Sequence, residues 1–255
     1  MQHAVFPKIE DVDLVRNDLY GLISSSSDKK TLVSHEPLCG YPWKNEYPRK
    51  RWIEEFERNA KNIGITFDKP NCIIGFRRHD RLIKSLYKQY LHEGNTEQFR
   101  DFFRLDGSGI VTPDDLRFRR RLRIAEKYFS RVLVYTQERL KDELEAFLVR
   151  LSNFLGTKKV SINNINREKY NAGVKSKFQV KSLRSLNRIN DYLKKSPFPT
   201  LHNRIFKTLG LTPRELCQKC LRGIGKEEFT LPKDVKKYVK KELYDDWKYV
   251  CEKAA

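Results

Sequence analysis

At 255 residues the chain is long enough to bury a sizeable core, most simply as one domain. Apolar residues make up 39% and charged residues 33%, a balance that excludes a disordered composition. Lys and Arg outnumber Asp and Glu by 52 to 33, a formal charge of +19, which favours an anionic partner: nucleic acid, an anionic membrane surface, or a phosphorylated or sulfated small molecule.

The N-terminal stretch "MQHAVFPKIEDVDLVR" carries acidic residues where a signal peptide needs an apolar core. No window approaches the roughly eighteen apolar residues of a membrane span, so a cytoplasmic chain with no membrane span is expected. Five cysteines, an odd number spread along the chain, suit reduced thiols better than a disulfide framework. After the loop "SSSSDKK", the stretch "KTLVSH" (Lys30 to His35) reads as a strand running into the turn "EPLCGYP". "RKRWIEEFERNAKNIG" places Trp52, Ile53, Phe56 and Ala60 at helical spacing, and Gly64 closes it. "CIIGF" (Cys72 to Phe76) reads as a buried strand. From Arg81, two rows recur at four-residue intervals, Leu82, Leu86, Tyr90 and Ile83, Tyr87, Leu91. They predict a helix with one apolar face, N-capped by Asp80 and ended by Gly94 and Asn95.

"SRVLVYT" (Ser130 to Thr136) is the third strand, followed by the amphipathic helix "QERLKDELEAFLVRLSNFLG" ending at Gly156. The order β, α, β, α, α, β, α argues for an α/β fold with an open, mostly parallel sheet flanked by helices. Beyond Gly156 the chain is basic and irregular, then helical from about Val180 to Lys195 and again over "DVKKYVKKELYDDWKYVCEK". The whole reads as one domain, 1–255, with a sheet core over about 25–160 and a basic, mainly helical part over about 161–255. "RFRRRLR", interleaved with Leu, Phe and Ile, predicts a solvated helix face over a packed stripe.

Two motifs imitate metal sites. In "RLDGSGIVTPDD", counting Asp106 as the third position of a calcium loop puts Arg104 at the first and Asp115 at the last, which argues for a plain surface turn. "CQKC" (Cys217 and Cys220) has no second Cys pair or His cluster, so it reads as two thiols on one helix face. No metal is expected. Trp43, Trp52 and Trp247 read as packing anchors, with Trp43 beside Glu36 where it could line an acceptor pocket.

Arg77 closes the Cys72–Phe76 strand and Ser85 follows eight residues later in the next helix. A guanidinium, a hydroxyl and a helix N-terminus together suit one dianion. "IIGFRRHDRLIKSLYKQYLHEG" resembles the 3′-phosphate-binding segment of the sulfotransferases, especially their bacterial and carbohydrate-type branch, where an Arg follows a strand and a Ser sits eight residues on, before a Tyr. "RVLVYTQERLKDELEAFLVRLSNFLG" resembles the same family's later strand, E-x-L turn and helix ending in FLG, with Glu138 and Leu140 keeping the pattern. "TLVSHEPLCG" resembles its acceptor-side strand, closed by Ser-x-Glu, and "EKYNAGVKSKFQVKSLRSLNRIN" its Asn-containing loop and R-x-L-N-R helix. The four ordered matches run over roughly two-thirds of the chain.

The resemblance implies a P-loop-NTPase-like sheet and a PAPS-dependent sulfuryl transfer from 3′-phosphoadenosine 5′-phosphosulfate to a hydroxyl or amine of a carbohydrate or small-molecule acceptor. It implies that Arg77 and Ser85 hold the 3′-phosphate and that Glu36 or His35 takes the acceptor proton, Glu36 being preferred because the matched motif carries a carboxylate there. One departure stands out: the family's phosphosulfate loop has no counterpart, and G-x-x-x-x-G-K-[ST] is absent. "VFPKIEDVDLVRNDL" resembles the stretch just after that loop and its helix. The resemblance implies a chain that begins one βα unit late, with a truncated start, a loop supplied by another chain, or a degenerate member that binds without catalysing as the expected explanations. The rival class is a nucleic-acid-binding protein without catalysis, resting on +19, "RFRRRLR" and "DVKKYVKKEL". Dispersed charge and the absence of zinc-finger, RRM or helix-turn-helix patterns set nucleic acid aside as the expected partner.

Overall fold

The computed structural model describes residues 39, 40, 42, 43, 51–158, 176–195, 212–219, 221, 224, 225 and 227–255. The expected strand Lys30 to His35 lies outside them, as do His35 and Glu36. In chain order the elements are α1 (Trp52–Thr66), β1 (Cys72–Phe76), α2 (His79–His92), α3 (Phe99–Phe102), a 3-10 turn (Asp114–Leu116), α4 (Phe118–Tyr128) and β2 (Val132–Thr136). They continue with α5 (Gln137–Asp142), α6 (Leu144–Leu155), α7 (Lys177–Lys195), α8 (Pro213–Lys219), α9 (Lys233–Glu242) and α10 (Tyr244–Lys253). Among the described residues the fold is α/β but mostly helical, with a single two-stranded parallel sheet. The chain forms two compact units, one drawn from Met1–Arg77, Asp114–Ile165 and Asp245–Ala255, the other from Arg78–Pro113 and Asn166–Tyr244.

In the first unit β1 and β2 pair in parallel, from Cys72 with Val132 to Phe76 with Thr136. Both are short apolar runs, and Ile74, Phe76, Leu133 and Val134 are buried. Helix α1 lies against α4, burying Trp52, Ile53, Phe56 and Ala60 on one side and Leu122 and Ala125 on the other. Gly64 does not close α1, which runs on to Thr66. Its role is close approach: a Cβ there would lie 2.4 Å from the Tyr128 carbonyl oxygen.

Neither α1 nor α4 has a capping side chain at its own N-cap, since Arg51 and Arg117 stand there. Remote carboxylates do the work. Asp115 Oδ1 accepts from Ile53 N at 3.2 Å, and Asp246 accepts from Phe118 N at 2.7 Å and Arg119 N at 3.0 Å. Arg121 is buried between these elements, its guanidinium 3.9 Å from the Trp52 ring and donating to the Asp115 carbonyl at 3.2 Å. Burial pushes its pKa down to about 10.

The expected single helix after β2 is two, because Glu143 leaves helical dihedrals (φ −126°, ψ 38°) while its carboxylate turns back to Arg139. Gly156 ends α6 in the left-handed region at φ +60°, as its place in the sequence predicts.

The second unit packs α2, α3, α7, α8 and α9 around rings. Tyr87 meets Phe99 edge-on at 5.3 Å, Phe102 at 5.3 Å and Phe229 at 5.6 Å. Helix α7 lies against α2 and α8, and buried Asn187 donates from Nδ2 to the carbonyls of Leu91 (2.7 Å) and Asn95 (2.9 Å). Helix α7 begins earlier than Val180, in a reciprocal capping box: Gln179 N donates to Ser176 Oγ, and Ser176 N to Gln179 Oε1, both at 3.1 Å. Thr212 and Glu215 make the same box for α8.

Asp80 is not the N-cap of α2. Arg78 holds that position and Asp80 sits inside the first turn, accepting from Arg78 Nε at 2.7 Å and Nη2 at 3.0 Å. The helix ends where expected, with Gly94 at φ +96°. The "DVKKYVKKELYDDWKYVCEK" stretch is also two helices, broken at Leu243, whose side chain is fully buried. The "DGSG" stretch is a turn in which the Asp106 carboxylate accepts from Ser108 N (2.9 Å) and Oγ (2.7 Å). Cys217 is buried, and Cys220 lies outside the described residues.

Candidate functional site

Parallel pairing sends both strands out of the sheet at the same edge, because Phe76 and Thr136 are register partners. Carboxyl edges of parallel sheets are where α/β folds receive ligands. Arg77 is the first residue beyond β1, half-buried, and its Nε donates to Gln137 Oε1 at 2.5 Å. Gln137 is in turn the first residue beyond β2. The Thr136 side chain is buried and caps α5, its Oγ1 accepting from Arg139 N at 3.3 Å. Arg139 extends from that turn and pairs with Glu143 at 2.8 Å.

A second feature adjoins this edge. Gly75 pairs with Tyr135, and a Cβ at position 75 would lie 2.3 Å from Tyr135 Cζ. The missing side chain is what lets the Tyr135 ring lie across β1, where it also packs on Phe147 at 5.2 Å. Burial, with a smaller contribution from Cys39, pushes the Tyr135 phenol pKa up, so it remains a neutral donor or acceptor near neutral pH. Tyr135, Thr136, Arg139, Phe147 and Arg150 line a cleft of about 210 Å³. Arg150 donates to the carbonyls of Ala254 and Val134. The cleft has an aromatic wall, and its two guanidiniums are already engaged, Arg139 by Glu143, which also lines the cleft, and Arg150 by the backbone.

Of the residues singled out from sequence, Arg77 stands at this edge. Ser85 belongs to the second unit, half-buried on α2, so the geometry of the edge bears on Arg77 alone. Glu138 and Leu140 lie half-buried on α5, and Leu140 borders the cleft. Glu36 and His35 lie outside the described residues. Asp80 has burial working to raise its pKa, but the hydrogen bond and charge of Arg78 outweigh it and hold the carboxyl below its ordinary value. Sequence reasoning did not reach Gln137, Tyr135, Arg139 or Arg150. The one signal that could have found Tyr135 is the glycine inside β1, which marks a close approach.

Among the described residues no three His, Cys, Asp or Glu side chains gather as a metal site, and no helix is long and apolar enough to cross a membrane. Comparisons with protein-family models, with curated proteins and with solved structures each return no match to this chain.

Proposed function

We propose that the chain is a sulfotransferase-like protein that binds 3′-phosphoadenosine 5′-phosphosulfate, with Arg77 as an anchor for the 3′-phosphate. The observation that carries this reading is the guanidinium at the common exit of two parallel strands, fixed by Gln137. With Nε engaged by Gln137, an oxyanion is met end-on by the two terminal amino groups, the bidentate geometry that suits a phosphate. Supporting it, the residues around Arg77 and those from Arg131 to Gly156 carry the sulfotransferase resemblance and supply the paired strands. The reading extends the sheet to a P-loop-NTPase-like one, open and mostly parallel, and by resemblance adds Ser85 to the 3′-phosphate shell.

In the reaction the acceptor oxygen forms a bond to sulfur as the bond from sulfur to the bridging phosphate oxygen breaks. Adenosine 3′,5′-bisphosphate leaves, and the acceptor proton passes to a base, Glu36 in preference to His35. The acceptor is a hydroxyl or amine of a carbohydrate or small molecule, and no metal takes part. The test is calorimetric titration of the full chain with adenosine 3′,5′-bisphosphate, on the wild type, Arg77→Ala and Arg77→Lys. Wild-type binding weakened about 10-fold or more in Arg77→Ala, with partial recovery in Arg77→Lys, supports the anchor. Equal binding by wild type and Arg77→Ala, or no binding by either, ends the assignment.

A further inference from the structure

The outward face of α4 is a row of cations. Arg120, Arg123 and Lys127 follow at steps of three and four residues and share one side of the helix, and with Arg117 at its N-cap they cover about 15 Å of its axis. Arg119, Arg120, Arg123 and Lys127 are exposed, with the exposed Glu126 beside them 4.0 Å from Lys253, while Phe118, Leu122 and Ala125 are buried on the opposite side. At the N-terminal end of the row three guanidiniums meet one carboxylate. Arg51 Nη1, Arg117 Nε and Arg120 Nη1 lie 3.6, 3.8 and 3.4 Å from Asp114, with all four side chains between 43% and 59% exposed. Three positive charges against one negative leave two in excess. Beside the row, the Tyr249 ring is flanked by Arg119 at 4.8 Å and by Lys253 at 5.8 Å. Like charges at helical spacing repel one another, a cost that a bound polyanion removes.

We propose that this face docks the phosphate backbone of a nucleic acid without reading its sequence. A protein partner needs an apolar or aromatic anchor at the centre of its footprint, and this row presents only charged side chains. The Tyr249 ring is engaged by cations, so the face offers guanidiniums to phosphates and no platform to bases. Phosphates recur about every 3.4 Å of axis along each strand of a duplex, so a 15 Å row spans about four of them. Dispersed charge was the sequence argument against nucleic acid, and α4 gathers that charge into a line. The proposal is independent of the Arg77 edge and uses none of its residues.

The test is fluorescence anisotropy of a labelled, mixed-sequence duplex of about 20 base pairs against the full chain over a salt series. Two variants accompany the wild type: the double variant Arg120→Gln/Arg123→Gln and the single variant Arg123→Gln. Both sites are exposed, and thermal unfolding followed by circular dichroism checks that α4 survives. The expected result is wild-type binding indifferent to base sequence, with a log K versus log salt slope that shrinks by about 0.9 in the single variant and about 1.8 in the double. If the double variant does not fold, the single variant decides. Absence of wild-type binding, or an unchanged slope in a folded variant, overturns the proposal. So does tighter binding of a size-matched heparin fragment than of the duplex, which would assign the face to an acidic glycan.

Discussion

The two units bury polar groups by different means. The first uses charged side chains, with Asp115 and Asp246 capping helices that begin far away in sequence and Arg121 lodged on the Trp52 ring. The second uses neutral amides and hydroxyls, with Asn187 tied to the end of α2 and Ser176 and Gln179 closing the start of α7. Part of the difference lies in what a tie must satisfy, although Ser176 in the second unit and Thr136 in the first cap helix N-termini with neutral hydroxyls. Helix N-termini present bare N–H groups with partial positive charge, which a carboxylate answers best. Carbonyls at a helix C-terminus need a donor, and an amide supplies two without bringing a charge out of water.

The largest expected effect comes from breaking a charged tie. Asp246→Ala leaves the buried Phe118 N–H and its neighbour at Arg119 without their acceptor. The expected loss is about 2–4 kcal/mol, combining a helix cap with charge-assisted bonds, and Asp246→Asn should recover part of it. Denaturant unfolding gives the total, and hydrogen exchange should show faster opening at the start of α4. A loss within about 0.5 kcal/mol would place Asp246 among ordinary surface carboxylates and remove the contrast between the units. A smaller effect is expected from the neutral tie. Asn187→Ala strips hydrogen bonds from Leu91 and Asn95 and should cost about 1–2 kcal/mol, the same at pH 5 as at pH 8 because nothing in that tie titrates. Unfolding of this variant at both pH values checks the claim.

What the sequence revealed follows from the same distinction between local and remote partners. Strands β1 and β2, the apolar rows of α2 and the glycine that ends α6 rest on neighbours a few residues away, and they are readable directly. The capping boxes at Ser176 and Thr212 are equally local, and the first shows why α7 starts before Val180. The remote caps of α1 and α4 come across 62 and 128 residues; the sequence shows an arginine at each N-cap and, at α1, the local Glu54 that accepts from Arg51 N at 3.3 Å, but no hint of the distant carboxylates. Asp80 misled for the converse reason: it is a good N-cap residue, yet the Arg78 guanidinium engages its carboxylate. At the candidate site Arg77 was legible as a guanidinium closing a strand. Gln137 and Tyr135 were not, because their relation to Arg77 and Gly75 exists only once the register of β1 on β2 is known.

The smallest effect sharpens the comparison by asking whether the second unit, with its neutral ties, still carries a pH dependence. His92 sits half-buried at the end of α2, and among the described residues its Nε2 is buried without a hydrogen-bond partner. Burial first, then the charges of Arg214 and Lys88, push its pKa down to about 4. An unfolded histidine titrates near 6.5, so between about pH 6.5 and 4 the unfolded chain binds the extra proton and the folded chain does not. The histidine therefore favours the folded state fully above that window, and its contribution is lost as the pH falls through it. Discounted for partial exposure, the loss attributable to His92 between pH 7 and 5 is about 1 kcal/mol. His92→Gln, which cannot titrate, should lose correspondingly less stability over that interval than the wild type. Parallel curves for the two proteins would mean that His92 takes up its proton in the folded state as readily as in the unfolded one, and the acid sensitivity would then belong to carboxylates such as Asp80.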